Sequence, residues 1–400
     1  MRRREFLLST LAGALAAQSA RAWEGPLPAS VIVLWMNGGP SHLDTWDPKA
    51  KGPTKARRTR LAGLDIAEDM PLIADVADRL CVVRSLSSKE GNHQRAQYVG
   101  RTSYSPNPTV EHPSLGAWVA KRLTAPDSGL PPFVSLGGPS LGAGFLGAQY
   151  GPFVIGKAGA LPDGARPTVS DARLARRLGL LGSLEDGFSQ EIVTPLITER
   201  RALYESARRF MASDALAAFD VSAESAATRA RYGATDFGTA CLTARRLVER
   251  GVRVVEVMLD GWDTHEDNFT RVKKQLAILD PAMAALVTDV SQAKTGMLSG
   301  TVILWLGEFG RTPRINGRDG RDHHPKAFSA VLSGAGVAPG IVGATDAEGA
   351  NVVGKSVSVA DLLATVYTLV GISPSQEFES PSRRPIAITD LGVPIAAARR

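Results

Sequence analysis

Cysteine is scarce in this sequence of 400 residues, which contains only Cys81 and Cys241. Two thiols permit at most one disulfide, and Cys81 lies inside the strand-like run LCVV. We therefore predict both thiols as small buried groups, although one disulfide in an oxidising compartment stays open. With 44% hydrophobic and 22% charged residues, the composition is that of an ordinary globular protein and allows a large core.

Beyond its N-terminus, the sequence lacks any apolar run long enough to cross a bilayer. The N-terminus matches a twin-arginine signal: RREFL begins at Arg3, a short apolar region covers Leu7 to Ala17, and ARA ends at Ala22. We predict residues 1 to 22 as a signal peptide that passes through the twin-arginine translocase, which places the mature protein in the periplasm or outside the cell. An amphipathic or anchoring first helix is the alternative.

The sequence also lacks a strong charge of one sign. Four Arg and one Glu fall within the first 22 residues, so without them the formal net charge drops from +6 to +3. No Lys/Arg stripe with interleaved aromatic residues is present, which argues against nucleic-acid binding.

Apolar runs alternate with helical patterns along the chain. Ser30 to Met36 is rich in Val, Ile and Leu, as in a central strand covered on both faces. We predict an α/β fold with a doubly wound, mostly parallel sheet and helices on both faces, formed by residues 23 to 400 as a single domain. Residues 170 to 231, rich in Ala, Arg, Glu and Leu at helical spacing, are predicted as a helical insertion. Residues 137 to 164 are rich in Gly and Pro, as in a lid or a surface excursion.

Three polar loops follow predicted strands, namely Asn37 to Asp47, Asp260 to His265, and the loop within Trp305 to Pro325. Ligand sites of doubly wound sheets lie beyond the carboxyl ends of the strands. We therefore expect the three loops to meet and to form the functional site.

Two of these loops carry candidate metal ligands. Asp260, Asp263 and His265 lie within six residues, and His323 and His324 form a second group. Carboxylate and imidazole groups on loops can converge on one divalent cation, since zinc accepts both oxygen and nitrogen. The alternative is that an acidic side chain here caps the following helix.

The first loop has further candidates. Gly38 and Gly39 let the backbone approach a ligand, although Gly-Gly-Pro is also a common turn after a strand. Asp44 adds a possible metal ligand, and Ser41 is a nucleophile only if a base activates it.

The remaining candidates for catalysis are His93, Glu308 and Arg311. His93 starts a predicted helix, and a helix N-terminus is a natural place for an anion or for a nucleophile that attacks one. Alternatively, His93 could simply cap the helix. Glu308 could be a metal ligand, a hydrogen-bond acceptor that orients a ligand, or a general base. Alternatively, it could form a structural salt bridge with Arg311 or Arg314. Arg311 could hold an anionic oxygen pair of a phosphate or sulfate, with structural ion pairing as the other interpretation.

Four motifs resemble the twin-arginine-exported proteins grouped as domain of unknown function 1501, a family considered related to sulfatases and the alkaline phosphatase superfamily. These motifs are GGPSHLDTWDPK from Gly38, NHQRAQY from Asn92, GWDTH from Gly261, and GEFGRTP from Gly307 followed by GRDHHP from Gly320. The resemblance implies an alkaline phosphatase/sulfatase-like fold and a metal loop at GWDTH. The last predicted helix, SVADLLATVYTLVGI from Ser358, is also similar to the closing helix of sulfatases.

Several residues depart from the superfamily's pattern. Glu308, Phe309 and Gly310 stand where Asp-His-Gly is usual, and Asn37 stands where an Asp ligand is typical. No obvious nucleophile stands before His93, where the superfamily usually presents a Ser, Thr or Cys, and the modification motif of sulfatases is missing. The resemblance thus implies one metal site, rather than two.

We therefore expect an exported metal-dependent hydrolase that acts on a small anionic ester or a sulfated or phosphorylated glycan. The divalent metal would be Zn or one of Ca, Mg and Mn. A non-catalytic envelope or glycan-binding protein that retains one metal or anion site is the alternative.

Overall fold

The computed structural model of the protein describes residues 30–124, 129–191 and 195–400. The predicted signal peptide, residues 1 to 22, lies outside these ranges and stays a prediction. Within them we find no helix whose length and apolar character would let it span a bilayer.

Seventeen strands occur in the described ranges. They are β1 (Ser30–Met36), β2 (Ala56–Arg58), β3 (Asp65–Ala67), β4 (Leu80–Ser87), β5 (Phe133–Leu136), β6 (Phe153–Ile155), β7 (Val254–Leu259), β8 (Thr301–Gly307), β9 (Gly310–Arg311), β10 (His323–His324), β11 (Phe328–Gly334), β12 (Gly340–Val342), β13 (Ala344–Thr345), β14 (Val352–Val353), β15 (Val357–Ser358), β16 (Glu377–Glu379) and β17 (Pro385–Ala387).

Nine of these strands form the central sheet, in the order β12-β4-β11-β8-β1-β7-β5-β6, with β15 also paired to β4. β11 is antiparallel to both of its neighbours, and every other pairing is parallel. The predicted α/β fold with a mostly parallel sheet is therefore confirmed. Since β4 and β8 both oppose β11, their carboxyl ends lie at the same edge.

Ten α-helices accompany the strands in the described part of the chain. They are α1 (Pro71–Asp75), α2 (His93–Thr102), α3 (Leu115–Leu123), α4 (Asp171–Glu191), α5 (Pro195–Met211), α6 (Ala226–Tyr232), α7 (Asp236–Glu249), α8 (Asn268–Gln292), α9 (Gly296–Ser299) and α10 (Val359–Leu369). Helices α4 to α6 fall in the stretch predicted as helical, whose role as an insertion into a single domain stays a prediction.

Helices cover both faces of the sheet because alternate residues of each buried strand point to opposite sides. Ile32 and Leu34 of β1 join one hydrophobic cluster with α7 and α8, whereas Val31 and Val33 join another with α3 and α10. Cys81 and Cys241 are free, and they belong to opposite clusters. The disulfide that the sequence left open is thus absent, because the sheet separates the two thiols.

Local chemistry explains several boundaries. Ser358 and Asp361 form a capping box that starts α10, and Gly371 follows its end with a positive φ of 77°. Residues 48 to 70, which join β1 to α1 without a clear sequence period, contain the small hairpin of β2 and β3. Residues 137 to 164 contain only β6 and two short 3-10 helices.

Candidate metal centre

The three polar loops leave the sheet side by side. β8, β1 and β7 are adjacent and parallel, and their last residues are in register. Asn37, Glu308 and Asp260 come next along the three strands, so their loops start at the same level. The three loops therefore lie together at one edge of the sheet, as expected.

His93 and His323 reach the same edge from other elements. The chain leaves β4 there and enters α2 at His93, with the side chain of Asn92 capping the helix by accepting from the backbone N–H of Arg95 at 3.2 Å. β10 pairs with β9, which places His323 opposite Arg311.

Three of these side chains form a cluster with metal-ligand chemistry. One ligand atom each from His93, Asp263 and His323 lies within 4.8 Å of the others. The Nε2 atoms of His93 and His323 are 3.5 and 3.6 Å from Oδ1 of Asp263. His265 adds a fourth group, with its Nε2 atom 3.3 Å from the same oxygen and 3.0 Å from Nε2 of His323.

The opposite nitrogen of each ring has an oxygen acceptor. Nδ1 of His93 lies 2.8 Å from Oε1 of Glu308, and Nδ1 of His323 lies 2.7 Å from the carbonyl oxygen of Gly91. Nδ1 of His265 lies 3.3 Å from Oδ1 of Asp322. Acceptors at Nδ1 place the ring hydrogen there and leave the Nε2 lone pair for a metal, which is the usual arrangement behind metal-binding histidines.

The spacing of these atoms fits a zinc site. Ligands at about 2.0 to 2.2 Å from one zinc ion, in a tetrahedral arrangement, stand about 3.3 to 3.6 Å apart. The distances from Asp263 Oδ1 to the three Nε2 atoms, 3.3 to 3.6 Å, match that range, whereas the Nε2 atoms of His265 and His323 are closer together, at 3.0 Å. Nε2 of His93 is also buried without a hydrogen-bond partner among the described residues, as expected of an atom that a cation would satisfy.

The pKa shifts follow from burial and from neighbouring charge. Burial raises the pKa of Asp263, but its hydrogen bond and ion pair with Arg311 outweigh burial and keep the pKa below its ordinary value. The hydrogen bond to Glu308 raises the pKa of His93, whereas burial lowers the pKa of His323. Asp263 is thus held as a carboxylate, the form that binds a cation.

Arg311 is a structural residue in this arrangement. Its side chain is fully buried. Nε donates to the carbonyl oxygen of Gly39 at 2.9 Å, and Nη1 donates to that of Arg321 at 3.1 Å. Nη2 donates to the carbonyl oxygen of Gly38 and, at 2.6 Å, to Oδ1 of Asp263. Of the two interpretations of Arg311, the geometry favours structural ion pairing over anion binding.

Two candidates of the first loop lie outside the cluster. Asp44 is buried and accepts from Nε and Nη2 of Arg321 at 2.7 and 3.1 Å, and from Asn268 at 2.9 Å. Ser41 is completely buried. The geometry therefore makes Asp44 the centre of a buried ion pair and leaves Ser41 without access to a substrate.

His324 also points away from the cluster. Its Nε2 atom lies 2.7 Å from the carbonyl oxygen of Ala350, and its ring stacks on His42 with centroids 6.4 Å apart. Since neighbouring residues of a strand point to opposite sides, His323 and His324 cannot both face the site.

Asn37 and Asp260 lie beside the cluster and bind each other. Nδ2 of Asn37 donates to Oδ1 of Asp260 at 2.5 Å. Gln97 donates to Oδ1 of Asn37 at 2.8 Å, and a longer contact of 3.4 Å joins it to Oε1 of Glu308. Sequence reasoning did not single out Gln97. Its spacing of four residues from His93 on the same helix was the available signal, since such residues share one face.

The turn after β1 is shaped by close backbone contacts. Gly38 has a φ of 115°, and a Cβ atom there would lie 2.4 Å from the backbone nitrogen of Asp263. A Cβ atom on Gly39 would lie 2.7 Å from the ring of Phe309. Phe309 is itself buried, with its ring centroid 4.9 Å from that of His93 and 4.5 Å from that of His323. It thus forms an apolar wall against two of the candidate ligands.

Residues 28–398 match the family described as Protein of unknown function (DUF1501). The chain belongs to this family. The match covers all four loop motifs and confirms the resemblance that they indicated. No curated protein matches the sequence significantly.

Solved structures similar to this DUF1501 chain include PsFucS1 sulfatase from Pseudoalteromonas sp., at 12% identity and a TM-score of 0.36 over 100% of this chain and 78% of that chain. The lipoteichoic acid synthase LtaP from Listeria monocytogenes is 10% identical with a TM-score of 0.40, over 95% of this chain and 80% of its own. Ps i-CgsB is 11% identical with a TM-score of 0.43, over 87% of this chain and 73% of its own. At these TM-scores the similarities say nothing about the chemistry of this chain, which has to be inferred from its own residues.

Proposed function

We propose that this DUF1501 protein is an exported, zinc-dependent hydrolase of phosphate or sulfate esters. The observation that supports it most is the convergence of three imidazole Nε2 atoms on Oδ1 of Asp263, each ring being held at Nδ1 by an oxygen acceptor. Three imidazoles and one carboxylate suit zinc, whereas calcium and magnesium prefer all-oxygen ligand sets.

His93, Asp263 and His323 would hold the ion, and His265, which lies beside Asp263 and His323, would be a further ligand. When bound, zinc supplies Lewis-acid polarisation of the ester oxygen or a bound water of lowered pKa. Hydrolysis adds the oxygen of water to phosphorus or sulfur, and the ester oxygen leaves with a proton. Water is assigned as the attacking group because Ser41, the hydroxyl candidate of the first loop, is completely buried.

Glu308 is the residue we assign to proton transfer. Its Oε1 atom accepts from the backbone N–H of Gly38 at 2.9 Å and from His93. Its Oε2 atom is buried and has no hydrogen-bond partner among the described residues. Because the Glu308 side chain has no exposed surface, we assign it to accept a proton through the half-buried ring of His93, whose Nδ1 atom it contacts at 2.8 Å.

A non-catalytic protein that binds an anionic glycan or envelope component through the same ion is the second candidate. The observation that favours it is the burial of Arg311, which leaves that guanidinium no exposed surface for a substrate anion. An ester would then depend on the ion and on backbone N–H groups for its charge.

The metal content of the purified exported protein tests the proposal, followed by a panel of phosphate and sulfate esters. We expect about one zinc per chain and ester hydrolysis that Asp263→Ala abolishes. Stoichiometric zinc with no hydrolysis of any ester would favour the binding protein. Absence of any metal, after purification without chelators and incubation with zinc, would reject both candidates.

Export by the twin-arginine route is a separate part of the proposal. Replacing Arg3 and Arg4 together by Lys keeps the charge but removes the arginine pair that the translocase recognises. We expect the variant to stay in the cytoplasm on fractionation, whereas Arg57→Lys with Arg58→Lys should be exported normally. Export of both proteins to the same extent would contradict the assignment.

A further inference from the structure

Helix α4 carries apolar side chains that nothing in the described part of the chain covers. None of its leucines is buried, and Leu180 and Leu184 are 64% and 56% exposed. The leucines of α4 are Leu174, Leu178, Leu180, Leu181 and Leu184. Leu174, Leu178 and Leu181 are partly buried, whereas Leu180 and Leu184 are exposed, and exposed leucines on a surface helix indicate an interaction surface.

The exposed leucines continue a row of arginines. At 3.6 residues per turn, Arg173, Arg177, Leu180 and Leu184 follow one another at spacings of four, three and four residues and share one face. All four side chains are exposed. Arg176 lies on the adjoining part of the same helix and is also exposed. The outer face of α4 is therefore basic in its first half and apolar in its second.

The arginines of this face lack internal partners. Arg173, Arg176 and Arg177 make no ion pair with any described side chain, whereas Arg200, Arg201 and Arg208 of α5 are paired. Arg201 binds Glu185 at 3.0 Å and Asp186 at 2.5 Å. The carboxylates of α4 that face α5 are thus already engaged.

We propose that the face formed by Arg173, Arg177, Leu180 and Leu184, here the α4 face, docks on a bilayer that contains anionic phospholipid. Helices that lie in a membrane interface combine exposed leucines with arginines, and bind through apolar burial together with attraction to lipid phosphate. The unpaired guanidinium groups supply donors that match phosphate oxygens, and the two leucines supply the apolar contact. The inference does not depend on the metal site.

A second copy of the chain is a weaker occupant on charge grounds. Pairing two α4 faces would bring arginines near arginines if the helices ran parallel, and would place arginines against leucines if they ran antiparallel. Neither arrangement gives the guanidinium groups a carboxylate partner, because Glu185 and Asp186 already bind Arg201. Like charges at an interface oppose association. An anionic lipid surface meets no such repulsion.

Vesicle co-sedimentation of the mature chain tests the proposal. Vesicles of phosphatidylcholine alone are compared with vesicles of phosphatidylcholine mixed with phosphatidylglycerol. We expect binding to the anionic vesicles only, weakened by added salt. Arg173→Gln with Arg177→Gln should lower the affinity about 25-fold, since each basic residue near an anionic surface contributes about fivefold. Leu180→Ser with Leu184→Ser should lower it by at least about tenfold.

Matched controls use exposed side chains elsewhere. Leu391 is 91% exposed, and Arg383 and Arg384 are exposed. Leu391→Ser and the double change Arg383→Gln with Arg384→Gln should bind vesicles like the wild type. Equal binding of all variants, equal binding to both kinds of vesicle, or no binding at all would overturn the proposal. So would a dimer, seen by light scattering without lipid, that Leu180→Ser with Leu184→Ser dissociates.

Discussion

The Nε2 atoms of His265 and His323 lie 3.0 Å apart. Both rings have an oxygen acceptor at Nδ1, so both Nε2 atoms present lone pairs. Two lone pairs at this separation repel unless a cation lies between them. The pair therefore needs a proton or a metal ion, and Asp263 beside it makes a divalent ion the better match.

Metal binding should stabilise the folded protein because the ligand set exists only in the native state. At a free zinc concentration of 100 times the dissociation constant, the gain in free energy of unfolding is about 2.7 kcal/mol. We expect the melting temperature to rise with added zinc and to fall with a chelator. His323→Ala should melt at the same temperature with and without zinc. A zinc-dependent shift that is equal in both proteins would place the ion elsewhere.

Asp322 should tune zinc affinity although we do not assign it as a ligand. It accepts from Nδ1 of His265 at 3.3 Å and from Asn316 at 3.1 Å, which together orient the ring. Changes to such acceptors behind metal-binding histidines cost about 10- to 100-fold in metal affinity. We expect Asp322→Asn to raise the dissociation constant for zinc by that factor in a competition titration.

Asp163→Asn is a matched control, because Asp163 is also exposed and has no ion pair among the described residues. Its zinc affinity should equal that of the wild type. An unchanged affinity in Asp322→Asn would show that Asn316 and the backbone alone hold His265 in place.

The buried ion pair of Arg101 and Glu256 should matter for zinc binding more than for stability. Arg101 lies two turns after His93 on α2 and binds Glu256 of β7 at 2.7 Å. It also stacks on Trp35 at 3.6 Å from the ring centroid. Buried pairs contribute little net stability, but removing one partner leaves an uncompensated charge and costs about 3 to 5 kcal/mol. We expect that loss in Arg101→Met on denaturant unfolding.

Replacing both partners separates the two roles. Arg101→Met with Glu256→Met leaves no buried charge, so the free energy of unfolding should return to within about 1 kcal/mol of the wild type. The zinc affinity of this double variant should be about tenfold weaker than that of the wild type. Two flexible apolar side chains would no longer fix the position of α2, and hence that of His93. Arg245→Met with Glu224→Met removes a half-buried ion pair far along the chain, within a network that also includes Arg246 and Asp289, and should leave zinc affinity unchanged.

Strand ends and ligand types could be predicted from the sequence, whereas side-chain direction could not. The apolar runs before Asn37, Asp260 and Glu308 fix where each strand ends, which places three loops at one edge. His93 was predicted at a helix start and as a candidate for catalysis rather than as a metal ligand, since only the packing of α2 shows that its ring faces Asp263. Arg311 illustrates the opposite case. An arginine in a loop is expected at the surface from sequence alone. The pairing of β9 with β10 instead buries the side chain of Arg311.

His42 should make stability depend on pH. Burial lowers its pKa from 6.5 to about 4, despite the nearby charges of Asp47 and Asp44, and the neighbouring ring of His324 adds to the decrease. Between those values the unfolded chain binds a proton that the folded chain does not, so stability falls as the pH falls from 6.5 to 4. The full effect is about 3 kcal/mol, complete below pH 4 and absent above about pH 7.

His42→Gln isolates this contribution because glutamine can still donate to the carbonyl oxygen of Gly349, which Nε2 of His42 approaches at 2.8 Å. Denaturant unfolding of both proteins, in excess chelator so that metal release does not contribute, gives the difference in free energy at each pH. The histidines that do not contact His42 titrate in both proteins, so their effects cancel in that difference, and carrying His324→Gln in both proteins removes the one ring that stacks on His42. Between pH 7 and pH 4, we expect the free energy of unfolding of His42→Gln to rise by about 3 kcal/mol relative to that of the wild type. Parallel curves across this range would mean that the ring of His42 is protonated in the folded state, with Asp44 or Asp47 compensating its charge.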